Sequence, residues 1–273
     1  MHFFINHSNL PLPNKNSPKR IISLVPSQTE LLYTLGMEDY VVGITKFCVH
    51  PPEWKHSKTI VGGTKQLHIE KIKALSPDLI IANKEENIRE QIETISHIAP
   101  VWVTDVNNLN DALSMIHQMG EICYKNELAN ELAKNIQNNF SSLKPLQTHK
   151  KVAYIIWKQP LMVAASQTFI HEMLLLCGFV NAFQNKLRYP AITEQELIAS
   201  APEFILLSSE PYPFQEKHMH YFQQLLPHST IILVDGEMFS WYGSRLLHSV
   251  AYFKTLIENI QKNSQLTFNK NKY

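Results

Sequence analysis

Apolar residues in this chain fall into two alternating textures. Unbroken short runs, such as LII at 79–81 and FILL at 204–207, lack the every-second-residue spacing of a half-exposed strand and are too short for helices. They predict parallel strands covered on both faces. Between such runs stand segments with apolar residues three and four apart. Leu128, Leu132, Ile136, Phe140 and Leu143 mark the longest, one amphipathic helix with a single apolar stripe. Strands alternating with helices predict an α/β fold with parallel-type sheets flanked by helices.

The pattern occurs twice. IEKIKALSPDLIIA at 69–82 returns in altered form as TEQELIASAPEFILLS at 193–208, each a short helix, a proline that cannot continue it, and an acidic residue opening a strand. Further on, VWVTD at 101–105 has its counterpart in IILVD at 231–235. Two similar α/β lobes with a ligand cleft between them are therefore expected, and the long amphipathic helix between the repeats is the expected bridge. The boundaries read as an N-terminal extension 1–18, a first lobe 19–106, a connecting helix region 107–147, a second lobe 148–262 and a polar tail 263–273.

The first lobe opens with RIISLVPSQTELLYTLG at 20–36, a strand, a turn and a helix. Ser27 reads as its N-cap with Glu30 as capping-box partner, and Gly36 closes the helix in the left-handed conformation. A helix start facing a strand end is also where open α/β sheets bind ligands. Both readings of Ser27 stand on the sequence.

At 273 residues the chain has room for two lobes with cores of their own. Its 25 basic residues nearly match its 24 acidic ones, so no overall basic field favours nucleic acid. Cys48, Cys123 and Cys177 are too few and too scattered for a disulfide framework and read as buried thiols. The chain begins MHFFINHSN, without the pattern of a secretory signal. A cytoplasmic location is expected on that ground, and a periplasmic one if the true start lies upstream.

Cys48 and His50 are a thiol and an imidazole of the kinds that hold zinc, though their spacing does not match structural zinc sites and no third ligand stands near. A metallochaperone or enzyme built on this pair is the alternative function. His218 and His220 read as residues of a solvated helix.

The motifs RIISLVPSQTELLYTLG, GGTKQLHIEKIKALSPDLIIA, FIHEMLLLCGFVNAF, ELIASAPEFILLSSEPYPF and DGEMFSWYGSRLL together resemble the helical-backbone substrate-binding proteins of bacterial ABC importers, the cobalamin-binding members most of all. The likeness runs in order from about residue 18 to about residue 260. It implies two α/β lobes bridged by one long helix, and a non-catalytic protein that traps a metal-chelate ligand for a permease. A cobalamin-like corrinoid is favoured, with a ferric siderophore or haem as other ligands. No intrinsic cofactor, no nucleic-acid partner and a monomer are expected.

Carried onto this chain, the likeness places Ser27, Gln28, Phe47, Lys65 and Asn83 of the first lobe at the ligand. From the second half it adds Trp157, Tyr189, Glu210, Trp241, Tyr242 and Arg245. The aromatics would offer flat faces to a macrocycle, although Phe239 beside them reads as core. Lys46, Lys65, Lys84, Lys158, Arg188 and Arg245 would instead suit an anionic siderophore. Glu90 and Glu216, equivalent by the repeat, are the implied contacts to permease arginines, with Glu86 and Glu194 as neighbours for the same role.

Overall fold

A computed structural model describes residues 4–5 and 17–270. Most of the expected N-terminal extension and residues 271–273 of the expected tail lie outside the described residues. The chain forms two compact units. The first comprises residues up to Val106, Asn110–Gln137 and Tyr242–Arg245, and the second comprises Asn107–Leu109, Asn138–Trp241 and the chain from Leu246 onward.

The first unit holds a wholly parallel sheet in the order Phe4–Ile5, Val101–Thr104, Leu79–Asn83, Ile21–Ser23, Val41–Ile44, Thr59–Ile60. Every residue of Leu79–Asn83 is buried, as its unbroken apolar run predicts. Ile22, Ile80 and Val101 on neighbouring strands share one core cluster with Ile72, Ile92 and Ile95 of the helices Ile69–Ala74 and Arg89–Ile95. Each such side chain contributes about 1.5–3 kcal/mol when fully buried.

The second unit repeats the plan. Lys151–Trp157, Phe204–Ser208 and Thr230–Val234 run parallel, and Met162–Val163 adds an antiparallel edge to the first of them. Ile155, Leu207 and Ile231 cluster with Leu197 and Phe222 from the helices Glu194–Ala199 and Glu216–Leu225.

The repeat has a physical basis that its letters only hint at. Each short helix ends in a residue forced into the left-handed region, Ser76 at φ 44° and Ala201 at φ 43°. Pro77 and Pro202 follow and prevent the helix from continuing. The next acid then closes the start of the adjacent strand. Asp78 accepts the backbone N–H groups of Lys19 at 2.7 Å and Arg20 at 2.9 Å, while Glu203 accepts that of Lys151 at 3.2 Å and the Lys150 ammonium at 2.6 Å.

Two local expectations differ from the structure. The first helix is Pro26–Thr34, with Pro26 in its first turn and Val25 as an N-cap that makes no side-chain bond. Ser27 therefore lies inside the helix and Glu30 is no capping-box partner, because proline's fixed φ starts the helix without a polar cap. Gly36 does adopt φ 68° at the other end. The region 107–147 contains two helices, Leu109–Cys123 and Asn126–Ser141, broken at Tyr124 with φ 56°. Residues of the second of these helices belong to both units, and its buried face is Ala129, Leu132, Ala133, Ile136 and Phe140, while Leu128 is exposed.

Replacing Ala201 by Gly removes a left-handed penalty of about 1–2 kcal/mol against a glycine entropy cost of roughly 0.5–1 kcal/mol. A small gain in urea midpoint is expected. Asp78→Ala leaves two strand-initiating N–H groups without their acceptor and is expected to cost roughly 1–2 kcal/mol in the same measurement.

Candidate functional site

In the first unit, polar side chains gather where the strands end. Asn83 and Thr104 close their strands and Gln28 sits in the first turn of the neighbouring helix, all buried. The Gln28 amide donates to the Thr104 hydroxyl, and the Asn83 amide donates to the Thr104 carbonyl at 3.1 Å. Asn83 Oδ1 in turn accepts the backbone N–H groups of Glu85 at 2.8 Å and Glu86 at 3.2 Å, and so shapes the loop that follows. Thr104 was not singled out by sequence, because a lone threonine at a strand end carries no distinguishing pattern.

The segment Tyr242–Arg245 is built into this unit. Tyr242 is buried and its phenol donates to Glu86 at 3.2 Å, with burial first and the Glu86 charge second holding its pKa well above the ordinary value. Arg245 grips Glu30 in a two-point pair of 3.0 and 2.6 Å. Gly243, at φ 140°, lets the chain pass close to the Ser27 carbonyl. Lys65 donates to the Glu85 carbonyl at 2.6 Å, and Lys84 pairs with Asp105 at 2.6 Å.

Phe47 is an aromatic that this unit presents outward, 50% exposed, with the Lys46 ammonium 5.1 Å from its ring centre. Gly63 makes room for it, since a Cβ there would sit 3.1 Å from the ring. Cys48, by contrast, is wholly buried among the Thr29 and Thr45 hydroxyls, and burial raises its pKa to about 11. It is a protonated thiol at neutral pH. Among the described residues no three His, Cys, Asp or Glu side chains are grouped to hold a metal ion.

In the second unit the candidate loops again follow the strands. Trp157 ends Lys151–Trp157, is 37% exposed, donates its indole N–H to the Gln159 carbonyl, and meets Tyr212 edge-on at 5.5 Å. Tyr189 is half-buried in a segment that hydrogen-bonds along 163–166, where Arg188, at φ 60°, donates to Asn107 at 2.8 Å.

Glu210 Oε1 accepts both the Ser240 hydroxyl at 2.6 Å and the Trp241 indole at 2.9 Å. Burial raises the Glu210 pKa, and the charges of Glu237 and Asp235 add to this. Gly236 permits that packing, because a Cβ would fall 2.6 Å from Glu210 Cγ. Trp241 is thus buried against Glu210 rather than offered as a face, and Phe239 is core.

Glu90 and Glu216 are both exposed in the first turns of matching helices. Glu86 is half-buried and engaged by Tyr242, and Glu194 accepts the Tyr221 hydroxyl. His218 departs from the sequence expectation. It is 6% exposed and packed between Tyr212 and Phe214, because the helix turns it inward at its third position.

Residues 21–224 match the family model described as periplasmic binding protein. The chain belongs to the periplasmic binding protein family. It is 26% identical over 237 residues to the vitamin B12-binding protein of Pectobacterium carotovorum, covering 84% of this chain and 85% of that one. An ABC transporter substrate-binding lipoprotein of Bacillus subtilis is 24% identical over 257 residues, with 89% and 81% covered.

Among solved structures, the periplasmic vitamin B12 binding protein of Vibrio cholerae shares the fold at TM-score 0.75 with 22% identity over 90% of this chain and 98% of that one. The periplasmic heme-binding protein of Roseiflexus gives 0.77 with 19% identity over 89% and 99%. No described helix is long and apolar enough to cross a membrane.

Glu30→Gln strips the countercharge from a largely enclosed Arg245, whose side chain is 12% exposed. A loss of roughly 3 kcal/mol in chemical denaturation is expected.

Proposed function

We propose that this protein is the substrate-binding component of an ABC-type importer and captures a metal chelate without chemically altering it, a cobalamin-like corrinoid before haem or a ferric siderophore. The observation that carries the reading is the agreement, across most of both chains, with vitamin B12-binding proteins of several bacteria. Two features of this chain support the corrinoid. Phe47 and Trp157 present aromatic surface, which suits a large flat ring. Arg245 and Lys84, two of the six cations that would suit an anionic siderophore, are already paired with Glu30 and Asp105.

Within this reading, Phe47, Lys65, Trp157, Tyr189 and Glu210 contact the ligand, while Gln28, Asn83, Trp241, Tyr242 and Arg245 set the loops that carry them. Ser27, buried in the first helical turn, belongs with the second group. Glu90 and Glu216 meet the permease. The Bacillus relative is a lipoprotein and the Vibrio structure is of a periplasmic protein, which supports a place outside the cytoplasm. No specific observation favours the metallochaperone reading over this one, with Cys48 enclosed and protonated.

Titration of the ligand-free protein with cyanocobalamin, haem and a ferric siderophore, followed by tryptophan fluorescence, is expected to show cobalamin binding most tightly. Absence of binding by every class at high micromolar concentration would overturn the reading. The double variant Glu90→Lys with Glu216→Lys is expected to keep the wild-type ligand affinity and to lose ligand delivery in a reconstituted uptake assay.

A further inference from the structure

His218 does something the binding reading does not require of it. Its Nδ1 accepts the backbone N–H of Gln215 at 2.9 Å. A backbone N–H can only donate, so Nδ1 carries no proton and the ring is the neutral Nε2–H tautomer. That Nε2–H then points at the Tyr212 hydroxyl, 3.3 Å away. The same ring stands edge-on to Tyr212 and to Phe214, each at 5.5 Å. Tyr212 in turn meets Trp157 edge-on at 5.5 Å. One imidazole thus joins the start of the helix Glu216–Leu225 to the exposed tryptophan.

We propose that neutral His218 is a positioning residue that holds the Trp157–Tyr212 pair, and that its protonation releases the pair and makes ligand capture fall in acid. A second proton must go to Nδ1, where it meets the Gln215 N–H head-on. The bond that closes the helix start is then lost. The charges acting on the ring are both cations, Lys158 from the turn after the Trp157 strand and Lys217 on its own helix. The helix N-terminus adds partial positive charge. Desolvation, ahead of these cations, lowers the His218 pKa from its ordinary value. Because the folded state holds the ring neutral, its contribution to stability is complete above the ordinary imidazole value of about 6.5 and is lost as pH falls below it.

The ligand half of this inference rests on the binding reading above, whereas the Trp157 half does not. The test therefore begins without ligand. Tryptophan fluorescence of the wild type is followed from neutral to acid pH, with Trp157→Phe identifying the part that Trp157 contributes, and the scan is repeated on His218→Gln. Glutamine is an ordinary capping partner at this helix position and gains no charge.

The expected result is a transition below about pH 6.5 in the Trp157 signal of the wild type that is absent from His218→Gln. Cobalamin affinity is expected to fall by up to about tenfold per pH unit below the His218 pKa in the wild type, and to stay flat in the variant. Identical pH profiles in the two proteins would overturn the proposal. Nitrogen-15 NMR of histidine in the wild type decides it even if the variant fails to fold: a His218 ring charged at neutral pH, or protonated on Nδ1, overturns it, and the neutral Nε2–H form titrating in step with Trp157 upholds it. Should no ligand bind either protein at any pH, the functional reading falls and the spectral result still decides the role of His218.

Discussion

A strand covered on both faces can keep its polar backbone only by pairing it along the sheet, and its side chains are apolar except where a polar one finds a hydrogen-bond partner. That constraint governs both units of this protein. Leu79–Asn83 and Phe204–Ser208 are buried at every residue. Buried polar side chains gather at the carboxyl ends of these strands, where Asn83 and Thr104 close two strands of one unit and Ser208 closes one of the other's, with Glu210 two residues beyond it. The amino-terminal ends carry structure instead, through the acids Asp78 and Glu203 that receive the neighbouring strand's first N–H groups.

Much of this was legible because burial writes itself into hydropathy. The unbroken runs marked the strands, the proline-acid pairs marked where each strand begins, and the echo between the two halves predicted the repeated plan. The left-handed residues Ser76 and Ala201 were not legible, since neither is the glycine that such a backbone normally takes. Proline's fixed φ overrode side-chain capping at Ser27, because Pro26 supplied the helix start.

The site was read less completely, for a different reason. Residue type shows that an aromatic or an arginine is present but not which face it presents. Trp241 and Tyr242 are aromatic and adjacent, yet Glu210 and Glu86 draw their polar edges into buried bonds. Phe47 and Trp157, by contrast, keep exposed surface. Likewise Arg245 is a cation in sequence and half of an ion pair in the structure, its partner lying 215 positions away in Glu30. His218 reads as a surface histidine and is an enclosed one, because only the packed helix shows which side of it faces Phe214.

In the proposed function, ligand capture belongs to the loops at the carboxyl ends of the strands, and the amino ends are structural. Hydrogen–deuterium exchange with and without cyanocobalamin tests it most directly. Added protection is expected in the loops around Phe47, Asn83–Asn87, Trp157–Gln159 and Ser209–Tyr212, with no change around Asp78 or Glu203. Protection confined to the amino-terminal edges, in a protein that binds the ligand, would contradict it.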